Sequence, residues 1–521
     1  MLRLTISVII VAISSIAAGS RILGIAPYPA HSHQVIFRAL TNELVRRGHE
    51  VVIFTAYPTN VNLTNYTEVD VSILTRKWKS KMDFYKVGQQ EGILSFMHNV
   101  VEFGEEVSDT VLSHPVMQQI IDPRTTEKFD AILIQQLAYD ALNAVSIRLN
   151  IPIIGVSSLD LIIPQQIHFG LNLLESSARS PVTGKRIDGL FDRIYQAYFT
   201  SRIAYMYYYQ NLPIQEKVMR KHFGDTVPPI ETVKNQIDIL LLSVHQYFTD
   251  SRPTVPGIIH IGGCRFSNHT KNKRLPPDLQ TELDNAKSGF IYMSMGSNVN
   301  VKQLPLHIRN MILSVFAELP YTVLWKSEID LENKPDNVIL RKWCPQEQVL
   351  AHPNIVLFIY QGGLQSTEEA LEYAVPLLGM PVFADQFLNV WALNDHGVAE
   401  VLQFANIDKE TFKQTILKVI TNQSYKENIR KLSDLLHDLP QHPMDLAMWW
   451  IEHAIRHKGA KHIRSHFQDM EIYKIHHIDI FAVFVVFCIL SLTITLLVPC
   501  VIYRSIKKFM KLYIVKSLKV E

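Results

Sequence analysis

Cysteine is scarce, with four in 521 residues. Cys488 and Cys500 fall inside a long charge-free run, so Cys264 and Cys344 alone remain for the rest of the chain, too few for a disulfide framework. An excess of charge of one sign is also missing. The 51 Lys and Arg nearly balance the 49 Asp and Glu, and setting aside the basic last 18 residues leaves about −3 for everything before them. A basic surface for nucleic acid is thereby excluded. No short-period repeat and no low-complexity tract occurs, which argues against a repeat array. At this length a single core is too small a solution, and two comparable domains are the first expectation.

Long apolar runs stand near both ends. Arg3 precedes an uninterrupted apolar run from Leu4 to Ile16, and Ala17 and Gly19 suit signal-peptidase cleavage, so residues 1–19 are expected to form a signal peptide. Ile480 to Tyr503 is 24 residues without a charge, enough to cross a bilayer with some tilt. Arg504, Lys507, Lys508, Lys511, Lys516 and Lys519 follow against Glu521 alone, which by the positive-inside tendency makes residues 504–521 a cytosolic basic tail and places the body in the lumen. Sequons at Asn62, Asn65, Asn268 and Asn422 are compatible with a secretory route.

Between these runs, strand-like and helix-like segments alternate. Arg21 to Ala26 reads as a strand, Gln34 to Arg47 as a helix ended by Gly48, and Val51 to Thr55, Ala131 to Ile134 and Ile153 to Val156 as further buried strands. A middle rich in aromatics (Phe191, Tyr195, Tyr198, Tyr205, Tyr207, Tyr208 and Tyr209) is expected to be core and interface, with the lining of a greasy pocket as the alternative. From Arg252 to Pro277 the composition turns to Pro, Gly, Asn and Lys, the character of a linker. A second alternating region follows, with strands expected at Gly289 to Met295, Val338 to Leu340, Ile355 to Ile359 and Leu377 to Met380. Two doubly wound domains facing each other would hold a ligand in the cleft between the carboxyl ends of their strands.

The stretch from Trp343 to Gln386 carries the most chemistry. A strand ending at Tyr360 meets Gly362 and Gly363, and a helix is expected to start near Ser366. Backbone N–H groups and a helix N-terminus then face the turn and form an anion site. Ser366 and Glu369, three apart on one helix face, bring a hydroxyl and a carboxylate within reach of one ligand, and that carboxylate can accept both hydroxyls of a ribose. Glu368 should point elsewhere, into solvent. Asp385 and Gln386 follow a strand and the turn at Pro381, where polar side chains can meet sugar hydroxyls, and Trp343 offers a flat face for a base.

These residues resemble the signature of the UDP-glycosyltransferase family, which includes the UDP-glucuronosyltransferases of animals. Trp343, Gln346, His352-Pro353, Gly362-Gly363, Ser366, Glu369, Pro376, Pro381, Asp385-Gln386 and Asn389 stand at the family's spacing. The stretches GFIYMSMGSN from Gly289, RPTVPGIIHIGG from Arg252 and WWIEHAIRHKGAKHIR from Trp449 look like further landmarks. The resemblance implies an α/β chain of the GT-B fold, two Rossmann-like domains facing a cleft plus a C-terminal transmembrane helix. Its parts would be an acceptor-binding domain over 20–262, a linker over 263–286 and a UDP-sugar-binding domain over 287–442. A helical segment over 443–479 would return toward the first domain, followed by the span at 480–503. By the same resemblance the uracil stacks on Trp343, the ribose meets Glu369, the phosphates meet Ser297, Ser366 and the glycine turn, and the sugar meets Asp385 and Gln386. Gln346 is placed in the same donor site. Gln361 stands where many members have His; its amide can donate to a phosphate but carries no charge.

Transfer to a hydroxyl needs a group to take the acceptor proton, and the histidine pKa suits that task. His31 and His33 both stand in the first loop, and the resemblance of SHQVIFRALTNELVRRGHE from Ser32 selects His33 as the general base. The family's orienting Asp is matched here by Gln135; Asp140, five residues on, substitutes only if the loop folds back, and otherwise is a solvated helix residue. The resemblance implies inverting, metal-independent transfer of glucose or glucuronic acid, with glucose preferred from likeness to invertebrate members, to a small lipophilic acceptor, as in detoxification. No cofactor or metal is expected, the UDP-sugar being a co-substrate, and homo-oligomerisation is left open. Residence in the endoplasmic reticulum membrane as a single-pass type I protein is expected, with Lys519 resembling part of a retrieval signal. The rival from another class is a catalytically silent carrier of lipophilic ligands in the same fold, for which Gln135 and Gln361 both speak.

Overall fold

The computed structural model describes residues 19–88, 92–174, 179–180, 182–246, 252–266 and 274–517. Residues 1–18 of the expected signal peptide, the sequon at Asn268, and Lys519 and Glu521 of the tail lie outside them. One compact unit runs to Gln468, and the chain from Asp469 forms another.

Short aliphatic runs too apolar to face water on either side become parallel strands covered by helices. The first sheet holds β1 (Arg21–Ala26), β2 (Glu50–Thr55), β3 (Tyr66–Asp70), β4 (Ala131–Gln135), β5 (Ile153–Ser157), β6 (Ile237–Leu242) and β7 (Ile258–His260), in the order β3-β2-β1-β4-β5-β6-β7. The second holds β8 (Phe290–Ser294), β9 (Thr322–Lys326), β10 (Val338–Arg341), β11 (Ile355–Tyr360), β12 (Leu377–Gly379) and β13 (Ala399–Val401), in the order β10-β9-β8-β11-β12-β13. Every pairing is parallel. In each sheet the strand order reverses direction once, between β1 and β4 and between β8 and β11, and those switch points are where open α/β sheets leave a crevice.

Eight helices bear on function: α1 (His31–Arg46), α2 (Ile93–Leu112), α3 (Leu190–Met206), α4 (Gln346–Leu350), α5 (Leu364–Glu372), α6 (Gln386–Asp395), α7 (Pro443–Arg456) and α8 (Ile478–Ser517). α1 begins at His31, three residues before the expected Gln34, so His33 sits in its first turn. α5 begins two residues before Ser366. After the second sheet the chain comes back: Ala447, Met448, Ile451 and Ala454 of α7 pack with Ile36, Leu40 and Leu44 of α1 in one core. Each fully buried aliphatic side chain there is worth about 1.5–3 kcal/mol. Arg47 closes the seam with a 2.6 Å ion pair to Asp445.

The aromatic middle departs from the expectation of core. Phe191, Tyr195, Tyr198, Tyr205 and Tyr209 are exposed, while Tyr207 is buried. The inward face of α3 is made instead by Gln196, Phe199, Thr200, Ile203 and Met206 at helical spacing. The expected linker also contributes structure, since β7 lies within it and completes the first sheet. In α8 the stretch Ile478–Lys511 is long and apolar enough to cross a membrane.

Candidate active site

A cavity of about 700 Å³ is lined by the loops at the carboxyl ends of both sheets. One side of it is built on the turn after β11. Gly362 has φ +93°, and a Cβ there would lie 2.4 Å from Val390 Cγ2 and 2.8 Å from the Gln386 carbonyl, so only glycine fits. Asn389 Nδ2 donates to the Gly362 carbonyl at 2.9 Å and to Asp385 Oδ2 at 2.8 Å, tying α6 to the turn. Gly296, after β8, also has positive φ, and a Cβ on it would come within 2.3 Å of Gln361 Nε2. The two switch-point loops therefore meet through the Gln361 amide, with Ser297 lining the cavity beside them.

Ser366 and Glu369 do share a face of α5, and one side chain holds both. Gln346 Nε2 donates to Ser366 Oγ at 2.8 Å and to Glu369 Oε2 at 2.5 Å, while its own carbonyl accepts from the Tyr292 hydroxyl at 3.1 Å. The other Glu369 oxygen accepts from Arg265 at 2.8 Å. Burial pushes the Glu369 carboxyl above its usual range, and Arg265 opposes that shift. Arg265 is itself buried and also pairs with Glu347. Sequence reasoning misses it, because a lone Arg in a Gly-rich stretch carries no sign of a carboxylate 104 residues away.

Trp343 keeps 60% of its surface exposed, with Lys326 Nζ 5.6 Å from its ring centre and the His31 ring 5.3 Å away edge-on. A face so placed is free to stack on a base. Lys326, a second residue that sequence reasoning passes over, donates to the Gly296 carbonyl at 2.9 Å and pairs with Glu328 at 2.6 Å. Asp385 is partly buried, and its desolvation pushes its carboxyl up to about 6. Gln386 commits its carbonyl to the backbone N–H groups of Val382 and Phe383, at 2.9 and 3.1 Å, which leaves its NH₂ for a ligand. Glu368 departs from expectation: it is 6% exposed, because α5 turns it toward Cys264 and Arg265 rather than solvent, and burial pushes it up to about 7.

The other side of the cavity is greasy. Ile93, Phe96 and Met97 of α2, Phe199 and Ile203 of α3, and Ile163 line it, with His33 above them among Tyr28 and Ser158. His33 Nδ1 lies 3.2 Å from Gln135 Nε2 and 2.5 Å from Ser158 Oγ. Burial alone pushes its imidazole down to about 3, so the ring is neutral at neutral pH. Asp140 does not fill the orienting role, nor is it solvated. Ala138, at φ +63°, turns the chain so that Asp140 enters the core, where it is 1% exposed and pairs with His168 at 3.0 Å and the Tyr207 hydroxyl at 3.2 Å. His31 is only partly buried and packs against Tyr57 and Trp343.

Residues 21–513 match the family model described as UDP-glucoronosyl and UDP-glucosyl transferase. The chain belongs to the UDP-glycosyltransferase family. UDP-glucosyltransferase 2 of Dactylopius coccus is 30% identical over 469 residues, 89% of each chain. An ecdysteroid UDP-glucosyltransferase of a Spodoptera littoralis nuclear polyhedrosis virus is 29% identical over 85% of this chain and 90% of its own length. A UDP-glucuronosyltransferase of Pleuronectes platessa is 35% identical over 247 residues, 47% of this chain and 52% of that one. Among solved structures, the glycosyltransferase VinC in complex with DTDP superposes with a TM-score of 0.57 at 16% identity, over 84% of this chain and all of that one. The GT-B fold and the UDP-glycosyltransferase activity class follow.

Proposed function

We propose that this UDP-glycosyltransferase moves a hexose, glucose in preference to glucuronic acid, from the UDP-sugar to an oxygen of a small lipophilic acceptor, in the manner of metabolite conjugation. The observation that carries the reading is the division of one cavity. Trp343, Gln346, Ser366, Glu369 and the glycine turn stand on one wall, and His33 stands over an apolar pocket on the other. UDP leaves against backbone N–H groups, the start of α5 and the Gln361 amide, which supports transfer without a metal ion. Attack from the His33 side with departure toward the glycine turn supports a single displacement that inverts the anomeric carbon. Asp385 and the Gln386 amide suit the sugar hydroxyls, and the names of the insect and viral relatives favour glucose and a steroid-sized acceptor.

The apolar stretch in α8 supports attachment to a membrane, and with the basic residues beyond Tyr503 it favours a type I protein of the endoplasmic reticulum whose body is luminal. Incubating membranes that carry the protein with radiolabelled UDP-glucose or UDP-glucuronic acid and a panel of phenols, steroids and carboxylic acids tests the reading. Labelled glycoside and stoichiometric UDP are the expected products. Acceptor binding with no UDP release would mark a carrier in an enzyme's fold.

A further inference from the structure

The proton on His33 is placed by its neighbours. Gln135 Oε1 accepts the backbone N–H of Tyr28 at 3.1 Å, which fixes the carboxamide so that its NH₂ faces His33 Nδ1 at 3.2 Å. An amide nitrogen only donates. Nδ1 therefore accepts, and the Ser158 hydroxyl 2.5 Å away, able to play either part, donates to it as well. A neutral imidazole whose Nδ1 accepts carries its hydrogen on Nε2. Among the described residues Nε2 has no protein partner, and His33 lines the cavity. With an Asp in place of Gln135 the pattern would reverse: the carboxylate would take Nδ1–H and leave a lone pair on Nε2 for the acceptor proton.

Building on the glycosyltransferase reading, we propose that this chain is specialised for acceptors whose attacking oxygen is already anionic, carboxylates and acidic phenols. His33 holds that oxygen as a hydrogen-bond donor through Nε2–H and does not deprotonate it. In the step, an oxygen lone pair of the acceptor forms the bond to the anomeric carbon, the bond from that carbon to the β-phosphate oxygen breaks, and UDP leaves with its electron pair. No proton is transferred, and the negative charge passes from acceptor to UDP. The other groups facing this region fit the assignment. The Tyr28 ring packs 4.6 Å from the imidazole, and the nearby carboxylates, Asp385 and Asp160, are held by Asn389 and Arg252.

The test uses the full-length protein in membranes at pH 7, with UDP-glucose or UDP-glucuronic acid, and a series of ring-substituted phenols of similar size whose pKa runs from about 7 to about 10, together with benzoate and cyclohexanol. The expected result is a kcat/KM that follows the ionised fraction of the phenol, falling by roughly 10²–10³ across the series, with cyclohexanol inert. For each phenol the pH profile follows the acceptor's own ionisation. Gln135→Asp is expected to raise the rate on unactivated phenol and cyclohexanol by roughly 10² and to lower it on the most acidic phenols, whose oxygen loses the Nε2–H donor. Transfer by the parent protein to cyclohexanol within about tenfold of the most acidic phenol would overturn the proposal whether or not Gln135→Asp folds. No UDP release with any acceptor would overturn the transferase reading, and this inference with it.

Discussion

Replacing Glu369 with Ala removes three things at once, and the structure lets each be weighed. The carboxylate that would accept the ribose hydroxyls is lost, a charge-assisted interaction of roughly 1.5–3 kcal/mol, so UDP affinity should fall about ten- to 150-fold. Arg265 loses its 2.8 Å partner while buried, and Gln346 loses the acceptor that orients it toward Ser366. Breaking a buried pair costs about 3–5 kcal/mol when the remaining charge is stranded. Glu347 still pairs with Arg265, so a loss in the lower part of that range is expected. A fall in thermal midpoint should therefore accompany the weaker binding, whereas the sequence alone suggests a purely local effect. Glu369→Gln keeps the shape but not the charge and should lie between parent and Ala in both respects. Calorimetric unfolding and titration with UDP on the same preparations read the two effects separately. Parent-like UDP affinity in folded Glu369→Ala would refute the ribose assignment, and an unchanged midpoint would refute the structural role of the Arg265 pair.

Gly362→Ala should cost at least about 1–2 kcal/mol from its left-handed backbone alone and, with Val390 and the Gln386 carbonyl in the way, should abolish UDP binding measured by titration. Glu368 is a buried acid held near 7, above its unfolded value of about 4.3, so its contribution to stability is fully present below about pH 4 and is lost as pH rises through 7. Glu368→Gln should accordingly leave the midpoint unchanged near pH 4 and raise stability at pH 8 by on the order of 1–3 kcal/mol, measured by denaturation at the two pH values. Ending the chain after Gln468 should yield a body that leaves the membrane and still binds UDP, because α7 and the Gln468 to Asn235 hydrogen bonds are retained; sedimentation and UDP titration check both points.

The parts of this enzyme that can be read from the sequence are those with a local cause. β1, β4, β5 and β11 are runs of aliphatic residues whose only stable place is between helices, and the pair Gly362-Gly363 marks a turn that side chains cannot enter. β3, YTEVD, is a half-exposed strand with two acids, and β7 is three residues inside a Pro- and Gly-rich stretch, so neither shows a buried strand's pattern. The Arg265, Glu369 and Gln346 cluster joins three separate segments, and nothing local announces it. Asp140 and Glu368 mislead for one reason: an acid in a short helical stretch reads as solvated until tertiary packing supplies His168 and Tyr207 for one and Arg265 for the other.

If sugar leaves UDP in this cavity for an acceptor held at His33, a single substitution should separate the two walls. With saturating UDP-sugar and an acidic phenol, His33→Ala should lose roughly 10²–10³ in kcat while the Kd for UDP, bound on the opposite wall, stays within about twofold. Glycoside formation by His33→Ala at the parent rate would contradict the placement of the acceptor at His33.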